Sequence, residues 1–334
     1  MSSPKRILFC AKDAGGANAI APVVAALAEE GASLQGVLVG PAQDIFSAAR
    51  MRFTSQTASA PDIFIAGTSA GDSPDKQIMK TLGSAPSLYV LDFWLNYWQR
   101  FSTAGEKDFA YMPTRICVMD DVARQEMLAE GFPAERLVVT GNPHFDHFAD
   151  SITRENEEKE RILFVSQPLS SVANMPGFSP VAYDEYATLK DILQALGTLP
   201  EQYYVSLRLH PKEPADKYAE FLGPRVRRAP EKTLEEALSG AGLIVGISSP
   251  VLMQAAAAGK RVLSYEPELS GKDPLVSNRA GVTTRVESKK ELADAMAAYA
   301  RGEWLFITRS LREVWPLGAT ERVVAAVHAL TAEK

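Results

Sequence analysis

Residues 6–31, RILFCAKDAGGANAIAPVVAALAEEG, read as one strand–loop–helix unit and decide the fold class. Residues 6–10 form a short apolar run, too brief for a buried helix and closed by a polar loop, so they predict a strand. Residues 12–18 supply a loop with paired glycines, residues 19–30 have helical composition, and Gly31 stops the helix. The alternation repeats outward from this unit. Apolar runs at residues 34–39, 62–66, 88–91, 115–119 and 137–140 predict strands, and residues 44–50, 76–82 and 123–130 predict helices between them. Strands alternating with helices point to a parallel sheet covered on both faces.

Residues 151–161, SITRENEEKER, are polar and highly charged without apolar periodicity, and predict a linker because a fresh alternation starts after them. Strands are expected at 162–165, 203–209, 243–245 and 261–265, and helices at 183–196, 233–239, 250–258, 289–300 and 321–332. The expected architecture is therefore α/β, with two doubly wound, Rossmann-like domains facing a cleft. Residues 1–150 form the first domain, 151–310 the second, and 311–334 a closing segment. A chain of 334 residues and 36.3 kDa suits two domains of roughly 150 residues each. In open α/β sheets ligands bind beyond the carboxyl ends of the strands, so the loops there hold the candidates.

Composition excludes several functions. A net charge of −6, from 41 acidic and 35 basic residues, argues against a dedicated nucleic-acid binder. Two cysteines, Cys10 and Cys117, rule out a zinc ribbon or disulfide framework, and four histidines argue against a histidine-rich metal site. The apolar run at residues 7–11 is too short for a secretory signal, and no window approaches the roughly 18–20 apolar residues of a membrane span. A cytoplasmic protein with reduced cysteines is the expectation. Peripheral membrane contact stays open, since it needs only a small exposed patch.

In the first half, Asp13 stands in the glycine loop before a helix. It is either a ligand-facing carboxylate or part of a tight turn, and the loop matches neither GxGxxG nor a phosphate loop with its lysine. Asp92 ends an apolar strand and is followed by Phe93, Trp94, Asn96 and Tyr97. It can serve as a general base for a sugar hydroxyl, with rings stacking on the sugar, or cap the next helix. Asp120 and Asp121 read as helix caps. In the second half, Ser166 and Gln167 follow a strand, and Arg208, His210 and Lys212 cluster at the end of another. Three such donors suit a phosphate or diphosphate. Ser248 and Ser249 precede Pro250 at a helix start, which serves as an anion cradle, a simple cap, or both. Glu266 and Glu268 close the next strand, where either can accept from ribose hydroxyls.

Three of these elements resemble the GT-B glycosyltransferase superfamily: Arg208-Leu-His210-Pro211, the Ser248-Ser249 pair, and the helix that runs from Gln254 to Gly259-Lys260 before a strand. The His-Pro and Ser-Ser pairs look like those of bacterial capsule and teichoic-acid transferases that use CMP- or CDP-linked donors. The resemblance implies that these loops hold the donor's phosphate. Gln254 stands where the lipid II N-acetylglucosaminyltransferase family has a ribose-binding glutamate, a departure that puts a UDP donor in doubt. Thr140-Gly141-Asn142-Pro143 with Asp146 is similar to the TGNxxxD segment of GT-B enzymes and of non-hydrolysing UDP-N-acetylglucosamine 2-epimerases. Asp92 is similar in placement to the catalytic Asp of lipid-A disaccharide synthase, and the closing helix would cross back onto the first domain.

The resemblance thus implies a metal-independent glycosyltransferase of bacterial surface-glycan synthesis, with an acceptor-side first domain and a nucleotide-donor second domain. Asp92, with Asp13 as second choice, would deprotonate the acceptor hydroxyl. Ser166, Arg208, His210, Lys212, Ser248, Ser249, Gln254 and Glu266 would hold the donor. The partners implied are a nucleotide-sugar donor and a glycan, lipid-linked or protein acceptor, with no nucleic acid, cofactor or metal. The alternatives are a 2-epimerase, which would need converging carboxylates and an HRREN-like run absent after His210, and a non-catalytic sugar-nucleotide-binding protein.

Overall fold

Arg6–Ala11 (β1) lies inside a sheet because all but the first of its side chains are buried and parallel neighbours flank it on both sides. Those neighbours are Ser33–Leu38 (β2) and Ile63–Gly67 (β3). The sheet continues through Ser87–Val90 (β4), Arg115–Val118 (β5) and Leu137–Val139 (β6), in the order β2-β1-β3-β4-β5-β6, every pair parallel. Helices Ala14–Glu29 (α1), Pro41–Ala48 (α2), Pro74–Thr81 (α3), Tyr97–Arg100 (α4) and Asp121–Ala129 (α5) connect these strands.

A second parallel sheet is built from Glu158–Val165 (β7), Tyr204–Arg208 (β8), Val226–Arg228 (β9), Ala241–Gly246 (β10), Arg261–Tyr265 (β11) and Thr284–Val286 (β12). Its order is β12-β11-β10-β7-β8-β9, the doubly wound arrangement in which the chain reverses direction between β7 and β10. Leu169–Val172 (α6), Glu185–Leu196 (α7), Leu234–Gly240 (α8), Pro250–Ala257 (α9), Val276–Arg279 (α10), Lys289–Ala300 (α11) and Leu311–Val314 (α12) accompany it. Apolar clusters cover both of its faces, one containing Ile162, Phe164 and Leu292 and the other Leu163, Ile244 and Leu252. This computed structural model describes residues 4–54, 60–69, 71–147, 150–172, 183–269, 271–304, 306 and 308–332.

The chain divides into two compact units, Met1–His147 with Trp315–Lys334, and Phe148–Val314. The closing helix, Ala319–Ala332 (α13), belongs to the first unit, where Val323, Val324 and Val327 join the core of β1 and α1. The TGNxxxD segment explains how it docks. Asp146 accepts the backbone N–H groups of Gly318, Ala319 and Thr320 at 2.8–3.1 Å and the Thr320 hydroxyl at 2.8 Å, so it caps α13. Arg322 returns a bond from Nε to the Thr140 carbonyl at 2.6 Å. Gly141 sits between them at φ +85°, and a Cβ there would lie 2.9 Å from that of Ala319.

Three local expectations change. α1 starts at Ala14, ahead of the expected residue 19, so the paired glycines lie in its first turn rather than in a loop. The strand expected at 162–165 begins at Glu158, because the charged Glu158, Lys159 and Glu160 extend β7 with their side chains exposed. β9 and β12, each of three residues, carry no periodicity for a sequence reading to detect.

Candidate functional site

Each sheet presents one set of loops at its carboxyl edge. In the first unit the loops after β1, β3 and β4 come together around Asp92. Asp92, just past β4, accepts on Oδ1 from Thr68 Oγ1 at 2.8 Å and from the Arg100 guanidinium at 2.7 Å. Arg100 is almost fully buried and also bonds Thr68 Oγ1 at 2.7 Å, so Asp92, Arg100 and Thr68 form a closed triangle. Asp92 Oδ1 takes both donors, which leaves Oδ2 as the oxygen that can meet a substrate hydroxyl. That oxygen lies over the first turn of α1, where a Cβ added to Gly15 would come within 2.0 Å of it. The positive end of the helix dipole therefore faces the carboxylate.

The neighbouring glycines set the same close approach from below. A Cβ on Gly67 would lie 2.3 Å from the Gly16 carbonyl oxygen, so helix and strand pack backbone to backbone. Asp13 occupies the N-cap position of α1 but makes no side-chain capping bond there and is exposed. Asp120 caps α5 through a 2.7 Å bond from Ala123 N–H, and its other oxygen takes the indole N–H groups of Trp94 and Trp315. The ring of Trp94 is thereby buried against Phe145 and Trp315. Aromatic stacking on a sugar, expected after Asp92, is not what Trp94 does.

In the second unit the loops after β7 and β10 meet at the point where the sheet order reverses. Gln167 accepts the Ser248 N–H at 2.8 Å and ties these two loops together. Ser249 is buried and caps α9, accepting the Val251 N–H at 3.3 Å. Gln254 lies half-buried further along α9. The loop after β8 brings His210 to Glu213, whose Oε2 accepts the His210 backbone N–H at 2.7 Å. Glu213 Oε1 takes the Ser166 hydroxyl at 2.8 Å and Lys217 Nζ at 2.7 Å, and Lys217 also pairs with the buried Glu185. Burial opposes the Lys217 ammonium, but the bonds to Glu185 and Glu213 outweigh it and hold its pKa up. Burial lowers the pKa of His210.

Several expected donor groups are engaged within the protein. Ser166 is buried, with its hydroxyl shared between Glu213 and Tyr218 at 2.8 and 2.6 Å. Arg208 aims its guanidinium at the carbonyls of Glu231 and Lys232, at 2.7 and 3.3 Å. Lys212 is exposed, and its N–H donates to His210 Nδ1 at 3.1 Å. Glu266 is fully buried, accepting from Ser264 Oγ at 2.9 Å and Asn278 Nδ2 at 3.1 Å, with Oε2 unpartnered. Burial, and the charge of Asp273, push its pKa up to about 7. Ser264 Oγ also lies 2.5 Å from the Ile247 carbonyl, so Glu266 stands behind the serine loop rather than at its mouth.

The structure thus brings His210 and Ser166 to one carboxylate, Glu213, and ties Ser248 to Gln167, while Arg208 and Glu266 bond groups of the protein itself. Thr68, Arg100, Glu213, Lys217 and Glu185 escaped the sequence reading because their partners are distant in sequence or sit on other elements. Among the described residues no group of three or more His, Cys, Asp or Glu side chains is placed to hold a metal ion. No helix among them is long and apolar enough to cross a membrane.

No protein-family model and no curated protein matches the sequence. Solved structures do match over nearly the whole chain. The UDP-N-acetylglucosamine 2-epimerase of Neisseria meningitidis, bound to UDP-N-acetylglucosamine, is 13% identical with a TM-score of 0.64, covering 97% of this chain and 100% of its own. The UDP-N-acetylglucosamine 2-epimerase of Methanocaldococcus jannaschii is 13% identical with a TM-score of 0.65, covering 97% and 99%. The glycotransferase of kitacinnamycin is 14% identical with a TM-score of 0.57, covering 99% and 100%. Two parallel six-stranded Rossmann-like sheets in one chain, matched end to end by these proteins, give this protein the GT-B fold that UDP-N-acetylglucosamine 2-epimerases and glycosyltransferases share.

Proposed function

We propose that the chain is an enzyme acting on a nucleotide-linked sugar. The nucleotide's phosphate meets the His210 and Ser248-Ser249 loops of the second unit, and Asp92 is the proton-transfer group of the first. The observation that carries this reading is the switch point of the second sheet, where Gln167 joins the β7 loop to the Ser248 loop at 2.8 Å. The complex of the Neisseria protein with UDP-N-acetylglucosamine supports the same ligand class.

Of the two activities found on this fold, the comparisons favour 2-epimerisation, because most of the similar structures carry that name. This reverses the order in which the sequence ranks them. Sugar transfer stays as a second reading on one observation: of the strand-end carboxylates described above, Asp92 is held by two donors on one oxygen, Asp13 is exposed without a capping bond, and Asp120 is engaged by the start of α5 and two indoles. One positioned carboxylate suffices to deprotonate an acceptor hydroxyl, whereas epimerisation calls for several around the sugar. On the transfer reading, fixed donors at His210 and the serine loop stabilise the leaving phosphate.

Incubation with UDP-N-acetylglucosamine and no acceptor, followed by proton NMR, tests the choice. Appearance of the C2 epimer supports epimerisation. Donor consumption that starts only when a glycan, lipid-linked or protein acceptor is added supports transfer. If UDP-, CDP-, CMP- and GDP-sugars are all left intact under both conditions, the proposal fails.

A further inference from the structure

His210 is held from two sides by its own loop. Its backbone N–H donates to Glu213 Oε2 at 2.7 Å, and its ring Nδ1 faces the Lys212 backbone N–H at 3.1 Å. A backbone N–H can only donate, so Nδ1 must accept and carries no proton; the ring proton then sits on Nε2. The support beneath is buried. Glu213 has a side chain 1% exposed, Lys217 6% and Glu185 0%, and Glu185 in turn accepts the Ser170 N–H at 2.9 Å. Every oxygen of Glu213 is engaged: Oε2 by His210, Oε1 by Ser166 and Lys217.

We propose that Glu213 is a positioning residue: by holding the His210 backbone it keeps the turn in which the Lys212 N–H faces Nδ1, which fixes His210 as a neutral ring with its proton on Nε2, so that His210 meets a phosphate oxygen as a hydrogen-bond donor and transfers no proton. The phosphate half of this statement rests on the nucleotide-sugar reading above; the tautomer half does not. Two charged groups of the same loop act on the ring: Glu213 favours an imidazolium, and Lys212 with burial opposes it. The Nδ1 contact sides with the neutral form, because a proton there would face the Lys212 N–H.

The test is nitrogen-15 NMR of the full chain labelled at histidine, with His210 assigned by its loss in His210→Gln. The ligand-free protein at pH 7.5 should show an unprotonated Nδ1 and a protonated Nε2. Glu213→Gln, which keeps the side-chain size, should let both tautomers populate and weaken nucleoside diphosphate binding about tenfold, with the far-UV circular dichroism unchanged. His210→Gln, still a neutral donor, should retain several-fold more turnover than His210→Ala. A wild-type ring protonated on Nδ1, or an imidazolium at pH 7.5, overturns the assignment even if Glu213→Gln fails to fold. Equal loss of turnover in His210→Gln and His210→Ala overturns the donor role. A Glu213→Gln ring that keeps the wild-type tautomer overturns the role of Glu213, whereas a changed tautomer in that variant without any nucleotide binding by the wild type upholds that role and instead sinks the nucleotide-sugar reading.

Discussion

At Gly15 the first turn of α1 gives up intrinsic helix propensity, worth up to about 1 kcal/mol against alanine, to make room for the Asp92 carboxylate. Gly15→Ala should therefore bring no gain in thermal stability and should cut turnover by about a hundredfold, since the new Cβ would displace Oδ2. Asp92→Asn keeps the shape and removes the base, and should lower kcat by about 10²–10⁴ while KM changes only a few-fold. Steady-state kinetics of the two variants checks both. Glu266 offers a pH test. Its folded pKa of about 7 lies above the ordinary 4.5, so the folded state binds the extra proton and stability falls as pH rises from about 4.5 to about 7. Glu266→Gln should thus stabilise the protein at pH 8, on the order of 3 kcal/mol, and be nearly neutral at pH 4.5, read by thermal unfolding at the two pH values. Asp13, Asp92 and His210 stood out in the sequence because each follows a strand. Arg100 and Glu213 did not, because what matters about them is which side chains the fold brings against them.

Elements were legible where an apolar run was closed by a polar or glycine-containing segment, as for β1, β10 and α9. They were illegible where pairing rather than composition makes the strand, as at β9 and at the charged start of β7. The TGNxxxD segment is a case where a motif of the sequence proves to have an architectural role. Asp146 satisfies three backbone donors at the start of α13 and Arg322 closes the loop from the other side. Asp146→Ala should lower the unfolding free energy by about 1–3 kcal/mol, visible as a lower urea midpoint, with the loss concentrated in amide protection of α13. Asp120 ties the same crossover through Trp315, and the 2.8 Å indole bond accounts for the burial of that ring.

At the scale of the whole molecule, the two sheets carry unlike chemistry. The first presents an Asp–Arg–Thr triangle over a helix start, and the second a histidine loop braced by buried carboxylates. Fold class could be read from the sequence because alternation of strand and helix is a property of the entire chain. The choice between epimerase and transferase could not, because both activities use the same alternation and differ in a few side chains around the sugar. Calorimetric titration of the full chain with UDP-, CDP-, CMP- and GDP-linked sugars tests the central claim most directly. At least one should bind with one-to-one stoichiometry, and His210→Ala should weaken that binding about tenfold or more. Absence of binding by every nucleotide, or undiminished binding in His210→Ala, would contradict the account.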